Sequence, residues 1–192
     1  LAVGAYQEAI ELNPGFFEAF TAIGVAYTES NRDKQAIEPL KNALKINPDD
    51  SVAYQNLGIA YKNLGQHEEA IDAFLELIRI RFKDPEAYFL LASEYFVEDL
   101  YDDAIQRFKD AIRLDPDYID AHFQLSQVYV ATGELEKSLK EFELVVKIEP
   151  IHLEGHFRKG DIYQRLDNHK AAAVSFEKAL SLYPGHVLAN YQ

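Results

Sequence analysis

Proline recurs along this chain at 34-residue steps: Pro14, Pro48, Pro116, Pro150 and Pro184 occupy one register, and the slot between Pro48 and Pro116 holds Phe82. A fixed period of this length describes an array of one repeated unit, each copy burying its apolar face on its neighbours. A single globular core with unrelated elements cannot produce it. The period therefore limits the fold before any helix is assigned.

Other columns keep the same phase. One reads Tyr27, Tyr61, Tyr95, Tyr129 and Tyr163, and a second, always small, reads Gly24, Gly58, Ala92, Ser126 and Gly160. A third carries the large residues Tyr6, Leu40, Phe74, Phe108, Phe142 and Phe176. Within one period, Tyr54, Leu57, Gly58 and Tyr61 follow the three-and-four spacing of an amphipathic helix, and Ala70, Phe74 and Leu77 begin a second one. The breaks between the two fall at Asn31, Gly65, Asp99, Gly133 and Asp167. These residue types tolerate a left-handed backbone, which ends a helix. The prolines mark the other break, where Asn47-Pro48 and Asp115-Pro116 form turn signals.

An aromatic followed by Leu-Gly and Tyr, then Ala and Phe, then a closing proline, resembles the tetratricopeptide repeat. Tyr54, Leu57, Gly58, Tyr61, Ala70 and Phe74 fill those slots, and the resemblance runs over essentially the whole chain. It implies an all-α fold, a right-handed α-solenoid of antiparallel helix pairs. Five full repeats are expected at 17–50, 51–84, 85–118, 119–152 and 153–186. Residues 1–16 read as the second helix of a preceding repeat and 187–192 as the start of another. Three departures carry expectations of their own. Phe82 in the proline slot predicts an altered connection, followed by a helix that Asp84 caps and Pro85 opens. Pro39 predicts a kink inside a second helix. His122 and His156 stand in the large aromatic slot.

Composition excludes several functions. Without cysteine there is no disulfide, thiolate catalysis or zinc–thiolate site. A net charge of −13 disfavours nucleic acid and anionic membrane surfaces, and suits a neutral or basic partner. No apolar run approaches the length of a membrane span and no signal peptide is visible. The chain starts in mid-repeat and lacks methionine, which reads as a piece of a longer protein. The cytoplasm is the expected location, with the periplasm or another compartment left open.

No phosphate loop, serine elbow, calcium loop or catalytic carboxylate pair is visible, so neither an enzyme nor a cofactor is expected. The pair His152 and His156 has a metal-ligand spacing, yet one lies in an inter-repeat loop and the other in a packing slot. In the family that the chain resembles, the first helix of each pair lines a concave groove where extended peptides lie. Phase then assigns Gln55, Asn56, Lys62, Phe89, Ser93, Phe96, Phe123, Gln124, Gln127, Phe157, Arg158 and Gln164 to that groove. The column Thr21, Gln55, Phe89, Phe123 and Phe157 passes from polar to aromatic, which points to the third to fifth repeats as the contact region. The expected function is a non-catalytic scaffold binding a peptide or protein segment with apolar side chains. Two alternatives stand beside it: a homo-oligomer assembled through the array ends, and the substrate-recruiting arm of a larger enzyme such as a glycosyltransferase.

Overall fold

A computed structural model describes residues 2–182. The expected start of a further repeat at 187–192 and the closing Pro184 lie outside these described residues. The described residues contain eleven helices and no strand. The chain divides into two compact units, Leu1–Leu100 and Tyr101–Gln192. The first unit holds α1 (Ala2–Leu12), α2 (Phe17–Glu29), α3 (Asp33–Ile46), α4 (Ser51–Asn63), α5 (His67–Ile80) and α6 (Pro85–Val97). The second holds α7 (Tyr101–Leu114), α8 (Ile119–Ala131), α9 (Leu135–Ile148), α10 (Leu153–Arg165) and α11 (His169–Leu182).

The turns follow from the predicted breaks. Asn31, Asp99 and Asp167 have φ of 55°, 57° and 58°, and Gly65 and Gly133 have 71° and 79°. Each places the next amide on the carbonyl of the periodic tyrosine: Arg32 on Tyr27, Gln66 on Tyr61, Leu100 on Tyr95, Glu134 on Tyr129 and Asn168 on Tyr163, all at 2.8–2.9 Å. This is the bond that closes a helix through a left-handed residue. Cations stand over four of the same rings, with Arg32 4.5 Å from the Tyr27 centroid, Lys41 5.6 Å from Tyr61, and Lys109 and Lys137 over Tyr129. Lys159, in the slot that Ile23, Leu57, Leu91 and Leu125 fill in the other repeats, lies over Tyr163 in the same way.

The small column seats the large one. A β-carbon on Gly58 would lie 2.4 Å from the Phe74 ring, and one on Gly24 would lie 2.4 Å from Leu40. Backbone and side chain thus meet more closely than any larger residue allows. Phe74, Leu40, Phe108 and Phe142 are fully buried, and the core of the first unit runs continuously from Ala36 to Leu91.

One departure resolves differently from expectation. Phe82 does not alter the connection in length: four residues separate α5 from α6, as they separate α3 from α4 and α7 from α8. Asp84 caps α6 by accepting the Glu86 amide at 3.1 Å, and Pro85 opens the helix. The turn needs the cap more than it needs the proline. Pro39 lies within α3, which runs as one helix from Asp33 to Ile46.

The aromatic slot has a second task. Its polar atom donates to the carbonyl six residues back, in the turn after the preceding helix: Tyr88 to Phe82 at 3.2 Å, His122 to Pro116 at 3.0 Å and His156 to Pro150 at 3.0 Å. The two histidines then diverge. His122 also faces Glu141 through Nδ1 at 2.6 Å, so only the imidazolium satisfies both acceptors. Burial of His122 disfavours that charge, but the bonds to Glu141 and Pro116 outweigh it and its pKa rises. His156 is lowered, chiefly by burial, against the bond to Pro150. A pKa raised on folding stabilises below the unfolded value of about 6.5 and fades as pH rises through the folded one; a lowered pKa does the reverse. Urea unfolding of His122→Phe should therefore show a stability deficit that shrinks from about pH 5.5 to about pH 8. The deficit of His156→Phe should shrink in the opposite direction.

Candidate functional site

On the first helix of each pair, one set of positions is buried and the others are partly or fully exposed. The structure puts the expected groove residues on such helices and divides them between the units. In the first unit, Gln55 and Asn56 are half-buried and Lys62 is exposed on α4, while Phe89, Ser93 and Phe96 are half-buried on α6. In the second, Phe123, Gln124 and Gln127 are half-buried on α8, Phe157 and Arg158 are half-buried on α10, and Gln164 is exposed there.

Several of these side chains are already engaged. Gln55 accepts from Arg81 at 3.0 Å, and Arg81 also donates to Ser51 at 2.9 Å and pairs with Asp84 at 3.5 Å. Asn56 donates to the Val52 carbonyl at 2.9 Å, and Ser93 to that of Phe89 at 2.8 Å. Arg158 is bonded to Glu154 at 2.8 Å. Phe123 meets Phe142 edge-on with centroids 5.5 Å apart and lies 5.5 Å from the His152 ring, and Phe157 lies 5.5 Å from Phe176.

A rule missed in the sequence connects these contacts. Thr21 is buried and donates to Asp50 at 2.5 Å, while the other Asp50 oxygen caps α4 by accepting the Val52 and Ala53 amides. Gln55 reaches the Asp84 cap through Arg81, and Phe123 stacks on His152, whose Nδ1 caps α10 by accepting the Gly155 amide at 2.9 Å. The column that turns from polar to aromatic is thus, in these three repeats, a link to the cap of the next first helix. The signal was present: Asp50, Asp84 and His152 share one slot of the period. The same contacts account for His152 and His156 as a cap and a packing residue. Among the described residues no group of three or more His, Cys, Asp or Glu is placed to hold a metal, and no helix is long and apolar enough to cross a membrane.

A buried charge was missed as well. Glu94 is fully buried on α6, in a column otherwise made of Ala26, Ala60, Val128 and Ile162. One oxygen meets His67 Nδ1 at 2.8 Å; the other has no hydrogen-bond partner and lies 3.9 Å from Lys62 Nζ. Lys62 is thereby aimed at Glu94.

One hollow of the first unit lies where the expected groove is least aromatic. About 620 Å³ opens beside α2, walled by Tyr6, Phe17, Val25 and Val52, with Glu18 and Glu29 at its margins. A second hollow, of about 450 Å³, lies along α11 in the second unit, beside Phe176 and Leu180.

Profiles of the tetratricopeptide repeat match residues 1–51, 40–72, 98–151 and 153–186. No curated protein matches the chain. Among solved structures, a crystal structure of MamA is 28% identical over 84% of this chain and 95% of its own, with a TM-score of 0.81. A MamA from Desulfovibrio magneticus RS-1 is 22% identical over 89% of this chain and 97% of its own, with a TM-score of 0.82. YrrB, described as a TPR protein with an unusual peptide-binding site, is 22% identical over 97% of this chain and 96% of its own, with a TM-score of 0.82. From the periodic columns, the tyrosine-closed helix pairs and these profiles together, the chain belongs to the tetratricopeptide repeat family.

Proposed function

We propose that the chain is a non-catalytic interaction scaffold that holds peptide or protein segments on the first-helix faces of its repeats, five of them complete between residues 17 and 186. The observation that carries this reading is the row on α8 and α10. There Phe123 and Phe157 are half-buried with rings in contact with Phe142, His152 and Phe176, and Gln124 and Gln127 are half-buried on the same helix as Phe123. Aromatic platforms that lose no freedom on contact bind apolar side chains at low entropic cost, and amides match the donors and acceptors of a peptide backbone. The fold likeness to YrrB, a protein described as having a peptide-binding site, supports the same reading.

Peptides selected by display on the immobilised chain carrying Glu18→Lys and Glu29→Lys, which leaves the second unit as the selecting surface, provide the test. Their affinity should fall at least tenfold in a variant carrying Phe123→Ala and Phe157→Ala. Because Phe123 rests on Phe142, a second variant with Gln124→Ala and Gln127→Ala leaves that packing alone and should also weaken binding. Unchanged affinity in both variants excludes this face of the second unit.

A further inference from the structure

We infer that the hollow beside α2 is a docking site for an extended basic segment, one that places apolar side chains between Tyr6, Phe17, Val25 and Val52 and a cation at each margin. The inference rests on the scaffold reading above and gives its ligand a chemistry. The volume falls in the range of ligand pockets. Its margins are acidic: Glu18 and Glu29 both line it, and no lysine or arginine occurs in residues 1–31, where Glu8 and Glu11 add to the same sign. The nearest cation in sequence, Arg32, is held over the Tyr27 ring and bonded to Gln35. Asp50 also lines the hollow, but both its oxygens are occupied by Thr21 and by the α4 amides. The charge offered to a ligand is thus that of Glu18 and Glu29.

Geometry sets the spacing of the ligand's cations. Glu18 and Glu29 are separated by roughly 16 Å of helix and share one face of α2, since three turns of helix bring them nearly into line. An extended segment covers that distance in about five residues. The expected motif is therefore two lysines or arginines about five residues apart with apolar residues between them.

The test selects random twelve-residue peptides by display on the chain and measures the winners as fluorescein-labelled peptides by anisotropy. The inference expects winners with that motif. Their affinity should fall at least tenfold in Glu18→Lys/Glu29→Lys and in Ala22→Phe, which fills the hollow without a change of charge, and should weaken as salt screens the margins. Circular dichroism checks that the variants remain helical; Glu18 and Glu29 are exposed, so charge reversal there leaves the core intact. Winners without basic residues, or winners that keep their affinity in both variants, overturn the inference. Winners weakened only by Gln124→Ala/Gln127→Ala overturn it and leave the scaffold reading standing, whereas a selection that yields no binder counts against both.

Discussion

Phe74→Ala is expected to lower the unfolding free energy by about 3–5 kcal/mol, the range for emptying a buried aromatic site. The ring is fully buried and lies over Gly58, so its loss leaves a hole that no nearby side chain fills without moving a helix. Leu75, the next residue, is 43% exposed, and Leu75→Ala should change stability by only about 0.5 kcal/mol. Urea unfolding of the pair checks this: the midpoint should drop sharply for the first variant and stay near its original value for the second.

The second large effect concerns Glu94. Removing His67 takes away the hydrogen-bond donor at 2.8 Å from a fully buried carboxylate. Breaking such a pair costs about 3–5 kcal/mol, because a charge is left buried without its partner. Lys62 stays 3.9 Å away, so His67→Ala should fall toward the low end of that range. Glu94→Val should be neutral or stabilising, since the same column carries Val128 and Ile162 in other repeats. Combining Glu94→Val with His67→Ala should then recover most of the stability lost in His67→Ala alone. A double variant no better than His67→Ala would show that the histidine acts through packing rather than through the carboxylate.

Much of the fold was legible because it is local and repeated. The left-handed residues at Asn31, Gly65, Asp99, Gly133 and Asp167, and the small residue under each large one, could be read by aligning the chain with itself. Contacts between slots were not legible in that way. Thr21 with Asp50 and His67 with Glu94 join residues 29 and 27 positions apart, and their meaning depends on which helix faces which. Phase placed Gln55 and Arg158 on the right helices without revealing that Arg81 and Glu154 already engage them. The hollow beside α2 escaped because Tyr6 belongs to a helix read only as a remnant, although it forms one wall. Phe82 misled for a different reason: the period marks the proline as a signature, whereas the turn is held by the Asp84 cap and the carbonyl bond from Tyr88.

The central claim is that binding occurs on the first helices. A titration of the isotopically labelled chain with a display-selected peptide, followed by amide chemical shifts, tests it most directly. The account predicts perturbations concentrated on α2, α4, α6, α8 and α10, with the second helices nearly unchanged. Perturbations confined to the exposed faces of α3, α5, α7 and α9 would contradict it.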